Sequence, residues 1–268
     1  MKANFLLRGL AGAALAGALW FAGGCTTVPV TGRSQLNLLS PGQELQLGLT
    51  AFNDLKKSTP VSTNAAANAL LQKVGQRIAA VASPDLPNAQ WEFVLFESKE
   101  PNAFCLPGGK VGVYTGILPI TKDEAGLATV IGHEVAHAVA RHGAERLSEA
   151  LLIETGGQIL GASLSSADPG TQSAVLLAYG LSTTLGRQLP HSRRQEAEAD
   201  EIGLIYMARA GYDPEAAIAF WQRFAEYNRQ HGGGNVLPFL RTHPTDEKRI
   251  ENLRALLPRA RAEYRPAQ

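Results

Sequence analysis

Between positions 124 and 139 the apolar residues Leu127, Val130, Ile131, Val135, Ala138 and Val139 recur every three to four positions without a proline. That period predicts a helix, drawn here from Asp123 to Leu147. Ser40-Pro41 opens an earlier helix, with Ser40 as N-cap, Pro41 in the first turn and Gln43 placed to complete a capping box. A further helix spans about 64–82, with Leu70, Leu71, Val74 and Ile78 on its inner face. Trp91–Glu97 and Lys110–Thr115 are apolar or alternating at strand length and are joined through Pro107-Gly108-Gly109. The segment from Ser192 is acidic at first and then apolar (Ile202, Leu204, Ile205, Met207), as in a helix that packs into a core. A last helix is expected from Thr245 to Leu257. The pattern is α+β and predominantly helical, with a small sheet beside the 123–147 helix.

Residues 151–188 are nearly uncharged and carry an apolar patch from Ala174 to Leu181. They read as one or two core helices broken at Ala167-Asp168-Pro169-Gly170. A mobile lid, or a plug facing a membrane or partner, is the sharper alternative. Gly232-Gly233-Gly234 is a candidate hinge.

The N-terminus has Lys2 and Arg8, an apolar run from Leu10 to Gly24, and no acidic residue before Glu44. The apolar core is too short to span a bilayer and reads as a secretory signal peptide, residues 1–24. Ala22-Gly23-Gly24-Cys25 resembles a bacterial lipoprotein signal, which implies lipidation of Cys25. Thr26 after it favours the outer membrane by the same resemblance. Residues 25–39 then read as a tether, 40–258 as the folded domain and 259–268 as a tail. Loss of the leader removes two positive charges and takes the formal net charge from +1 to −1. A near-neutral chain without a basic tract has no footprint for nucleic acid. With Cys25 lipidated, Cys105 has no disulfide partner, and its neighbours Phe104 and Leu106 suggest a buried thiol.

The chemistry lies in His133-Glu134-Val135-Ala136-His137. Two histidines four apart share a helix face and can reach one metal ion, while Glu134, turned about 100° away, stands where a general base would. A catalytic zinc needs a third protein ligand. A metzincin extension is excluded by Ala140 and Gly143. His142 lies about 140° around the helix from His137 and reads as a group near a helix C-terminus capped at Gly143. Glu196 is the favoured candidate, because Asp200 shares its face one turn on and could accept the N–H of a ligating histidine. Glu198 is the competing carboxylate, on a face that lacks Asp200.

Taken together, HEVAHAVARHGAER, SRRQEAEADEIGLIYMARAGYDP and RTHPTDEKRI resemble zinc metallopeptidase family 48, which includes the CAAX prenyl protease and periplasmic proteases of Gram-negative bacteria. The resemblance implies a zincin-type (gluzincin) domain with one Zn2+ held by His133, His137 and Glu196. It also implies Glu134 as catalytic base and Asp200 as the carboxylate behind a ligand. Residues 101–116 resemble the family's strand pair leading into the active-site helix. His243, in a stretch the family also carries, is read three ways: oxyanion stabiliser, fourth ligand that holds the site inactive, or merely the start of the last helix. His191 and His231 read as exposed loop residues.

The implied activity is metal-assisted peptide hydrolysis in the periplasm, on misfolded or unassembled envelope proteins. Partners would be those substrates, the membrane through Cys25, and outer-membrane assembly machinery. The alternative is a non-catalytic assembly factor or chaperone whose zinc site is capped.

Overall fold

The computed structural model describes residues 25–231, 236–244 and 247–266. The signal-peptide reading, the triple-glycine hinge and the start of the last helix at Thr245 fall outside the described residues. Strands β1 (Cys25–Thr27) and β2 (Ser34–Leu36) form a small antiparallel pair. Helices α1 (Pro41–Ser58) and α2 (Ala65–Ala82) follow. The expected capping box is present on α1: Ser40 Oγ accepts from the Gln43 N–H, and the Gln43 side chain returns to the Ser40 N–H. On α2 the cap is Asn64, with Leu71, Val74 and Ile78 buried and Leu70 half-buried.

Three strands form the second sheet: β3 (Glu92–Phe96), β4 (Ala103–Leu106) and β5 (Lys110–Tyr114), in the order β3-β5-β4. β5 runs parallel to β3 and antiparallel to β4. Pro107-Gly108-Gly109 therefore joins β4 to β5, not β3 to β5 as the spacing suggested. Its two glycines sit at φ +86° and +78°, a conformation that side chains disfavour. β4 was hidden between stronger signals, although the family resemblance pointed to a strand pair there. It is an edge strand.

After a short turn α3 (Leu118–Thr121) comes α4 (Glu124–Val139), capped by Asp123, whose carboxylate accepts from the Gly126 N–H at 2.8 Å. α4 is buried almost all round and packs against α2, β4, α7 (Leu189–Arg209) and α8 (Ala216–His231). Gly132 and Gly203 let α4 and α7 touch backbone to backbone. A Cβ on Gly203 would stand 3.0 Å from the His133 nitrogen and 3.1 Å from the Gly132 carbonyl carbon. This close crossing brings the faces carrying His133 and Glu196 together.

The helix expected to reach Leu147 stops at Val139. Arg141 adopts a left-handed conformation at φ +56°, and α5 (His142–Ser163) starts in a new direction. The break is stabilised from outside the helix. Arg141 reaches the Glu44 carboxylate and the Leu39 carbonyl, and Gln35 donates to the Ala140 carbonyl at 2.8 Å. These partners lie some hundred positions away in the chain, so local periodicity does not register them.

The core reading of residues 151–188 is corrected. α5 is buried only near its start, and α6 (Pro169–Thr183) has no buried residue. A π-helical turn at Thr184–Gln188 then leads into α7. Ile159, Leu177, Leu181 and Leu185 are each more than half exposed. The uncharged composition is that of a core segment, but among the described residues no element covers this helical pair. α9 (Pro238–Thr242) and α10 (Glu247–Ala262) close the domain. α10 runs past the boundary drawn at 258, with Pro258 inside it, because Leu253, Leu257 and Ala260 remain buried.

The segment read as a tether is also corrected: it is part of the domain. Val28 is fully buried, and Leu38 donates its N–H to Ser148. Arg33 grips the Glu145 carboxylate with two nitrogens at 2.7 and 2.9 Å. Gln195 and His191 complete the shell of Glu145 at 2.7 and 3.0 Å, and His191 also reaches Glu149. His191 is therefore a half-buried helical residue, not a loop one; His231 is exposed, at the end of α8.

Burial opposes ionisation of Glu145, yet Arg33 and Gln195 outweigh it and hold the carboxyl at about 2 against an ordinary 4.5. A depressed carboxylate stabilises the fold above its ordinary pKa, and that contribution is lost as pH falls from about 4.5 towards 2. Glu145→Gln is expected to lower stability by roughly 2–3 kcal/mol near neutrality and to narrow the gap to the parent below pH 3. Thermal midpoints from pH 6 to 2.5 check this; a constant gap would sink it.

Candidate active site

Four side chains meet where α4, α7 and the end of α9 converge: His133, His137, Glu196 and His243. One donor atom from each lies within 4.8 Å of the others. His133 Nε2 and His137 Nε2 are 3.1 Å apart. The Glu196 carboxylate sits 3.2 Å from each of them. His243 Nδ1 is 3.1 Å from His133 Nε2 and 2.8 Å from Glu196 Oε2. Donors bound tetrahedrally at about 2.0–2.1 Å from a zinc ion stand roughly 3.3 Å from one another, so the spacing of His133, His137 and Glu196 fits a metal of that size.

The buried side chains also set one another's charge. Burial alone would keep the Glu196 carboxyl protonated, but the three imidazoles around it push its pKa far below the usual range. His133 is buried too, and burial lowers its pKa; hydrogen bonds donated to Asp200 and Glu196 outweigh this and raise it to about 9. Burial drives His137 well down. Glu134 is pushed up, first by burial. Its Oε1 is buried without a hydrogen-bond partner and lies 3.5 Å from His243 Nε2. A buried carboxylate oxygen beside a donor cluster, free of hydrogen bonds and with its proton affinity raised, has what a general base requires.

Behind His133, Asp200 Oδ1 is 3.0 Å from His133 Nδ1. This contact places the ring proton on Nδ1 and turns Nε2 towards the donors. Asp200 is held in turn by Arg249, through Nη2 at 2.7 Å and Nε at 2.8 Å. The Arg249 guanidinium lies 3.5 Å over the Trp221 ring, and Trp221 meets His133 edge-on. Sequence reasoning did not single out Arg249 or Trp221. Arg249 stands in the RTHPTDEKRI stretch, six positions after His243, and that proximity was the available signal.

His142 is corrected. It is not beside a C-cap at Gly143. The break at Arg141 turns it back, so that it is wholly buried with Nδ1 2.8 Å from His137 Nδ1. Glu198 stays out of the donor cluster and bonds His142 instead. A cleft of about 540 Å³ opens onto the site, with Phe104, Cys105 and Leu106 of β4 on one wall and Glu134, His137, Glu196 and His243 at its base. Cys105 is half-buried rather than fully buried, and burial pushes its thiol up. No residue from 151 to 188 lines this cleft.

The sequence description of peptidase family M48 matches residues 65–257, and so spans the whole donor set. The chain belongs to peptidase family M48. It is 36% identical over 236 residues to the mitochondrial metalloendopeptidase OMA1 of Schizosaccharomyces pombe, covering 87% of this chain and 66% of that protein. Human metalloendopeptidase OMA1 is 32% identical over 240 residues, covering 87% and 46%. The beta-barrel assembly-enhancing protease of Escherichia coli K12 is 30% identical over 240 residues, covering 87% and 48%. The chain thus spans from about half to two thirds of the length of these M48 relatives.

Proposed function

We propose that this M48 chain is a zinc-dependent metalloendopeptidase that hydrolyses peptide bonds of misfolded or unassembled envelope proteins. The observation that carries the reading is the buried oxygen of Glu134, without a hydrogen-bond partner, beside a donor set made by His133, His137 and Glu196. An ion held there supplies a Lewis acid that eases loss of a proton from water and polarises the scissile carbonyl. Glu134 takes the proton of the attacking water and delivers it to the departing amine. Asp200, fixed by Arg249, keeps His133 in the tautomer that offers Nε2. An extended substrate can add its backbone to β4, the edge strand that walls the cleft.

The periplasm and a lipid anchor at Cys25 rest on the leader pattern, which the mitochondrial relatives do not share as a destination. No helix among the described residues is long and apolar enough to cross a membrane. The name of the Escherichia coli relative supports an outer-membrane assembly machine as partner. A second reading, a non-catalytic assembly factor with a capped zinc, is favoured only by the seat of His243 among the donors.

Metal removal is the direct test. Protein carrying one zinc per chain is expected to cut an unfolded protein substrate, to lose at least about 99% of that activity on chelation, and to regain it with added zinc. Cleavage indifferent to the chelator would overturn the assignment.

A further inference from the structure

His137 is supported differently from His133. Where His133 Nδ1 meets a carboxylate directly, His137 Nδ1 faces another imidazole nitrogen, His142 Nδ1, at 2.8 Å. Two ring nitrogens at that distance share one proton, and the hydrogen-bond network decides which ring carries it. His142 Nε2 stands 3.0 Å from Glu198 Oε2. The same carboxylate accepts from Arg33 Nε at 2.7 Å and from the Thr31 hydroxyl at 2.5 Å. The remaining guanidinium nitrogens of Arg33 are occupied by Glu145.

The protons along this chain can be assigned one by one. Glu198 accepts from a guanidinium and a hydroxyl, so its carboxylate is an acceptor towards His142 as well. His142 must then carry its proton on Nε2, which leaves Nδ1 as an acceptor. His137 must donate from Nδ1, which leaves the Nε2 lone pair directed at the donor cluster.

We infer that His142 and Glu198, clamped by Arg33 of the β1–β2 segment, form a relay that fixes the tautomer of His137 and thereby sets the metal affinity of the site. These are positioning residues, and the inference rests on the reading of His137 as a metal ligand. It gives the N-terminal hairpin a task in the site: its arginine holds the far end of a hydrogen-bonded line that finishes on the ligand.

The test compares His142→Gln with His142→Leu in the full chain. Glutamine keeps both an acceptor for His137 and a donor for Glu198, whereas leucine fills similar space with neither. Metal affinity is read by competition against a chelator, the visible absorption of the cobalt-substituted protein reports the ligand field, and thermal midpoints of the metal-free forms register damage to the fold. The leucine variant is expected to lose about 10–100-fold in affinity with an altered cobalt spectrum, and glutamine to restore both to within a few fold. Equal affinity in all three proteins, or equal loss in both variants at unchanged metal-free stability, would overturn the relay. Nitrogen NMR of histidine-labelled wild type needs no variant: the zinc-loaded protein should show His142 protonated on Nε2 and His137 on Nδ1. The opposite pair of tautomers defeats the proposal even if the leucine variant does not fold. Wild type that binds no metal refutes the ligand assignment itself, whereas tight binding indifferent to residue 142 refutes the relay alone.

Discussion

Glu134→Gln is expected to remove peptide hydrolysis while leaving the metal in place. The substitution keeps the shape of the side chain and takes away only the capacity to accept a proton. Glu134 contributes no atom to the donor cluster, so stoichiometry and affinity for zinc should stay within a few fold. Its Oε1 is buried, without a hydrogen-bond partner, and burial raises the proton affinity of the carboxyl above that of an ordinary glutamate. A positioned base contributes typically 10²–10⁴ in rate, so kcat/KM on an unfolded protein or a quenched peptide should fall by about that factor or more. A variant that retains a tenth of the parent activity with full zinc would mean that another group takes the proton.

His243→Ala is expected to act in the opposite direction. The imidazole stands among the donors, 2.8 Å from Glu196 and 3.1 Å from His133, in a place that a catalytic metal site leaves to water and substrate. Phe239 lies against its ring, at 4.5 Å between centroids, and helps to seat it there. If His243 fills the fourth position, its removal opens the site, and kcat/KM should rise by about tenfold or more. If it stabilises the oxyanion instead, the same variant should lose about 10²–10³ in kcat. Initial rates of both proteins at equal zinc occupancy give the sign, and a fall would reject the capping role proposed here.

The parts of this fold that local chemistry specifies were legible beforehand. Ser40 and Gln43 announce the start of α1 because capping is a contact across three residues. The apolar period around His133 marks α4, and the four-residue spacing of His133 and His137 fixes their common face. Glu196 and Asp200 were found by the same spacing logic on α7. What escaped was settled by contacts across long stretches of chain. Arg141 is an arginine in a conformation that usually favours glycine, held there by Glu44 and Leu39, so periodicity carried the helix straight through the break. That one error misplaced His142. The hairpin at 25–36 has strands of three residues and looked like linker, although Arg33 is tied to Glu145 and Glu198 more than a hundred positions on. The exposed pair formed by α5 and α6 failed for the converse reason: its composition is that of a core, and only the structure shows that no described element covers it.

The crossing of α4 and α7 has a consequence in time. A ribosome releases His133 and His137 long before Glu196, and His243 later still. Until residues 189–209 have been made, α4 lacks the backbone against which Gly132 and His133 rest, and its two histidines have no carboxylate to share an ion with. Arg33 likewise waits for Glu145 and Glu198 before its end of the line is fastened. A half-made chain therefore holds an incomplete set of donors on an unsupported helix. The order of residues along the chain thus delays assembly of the donor set until the fold around it is nearly closed.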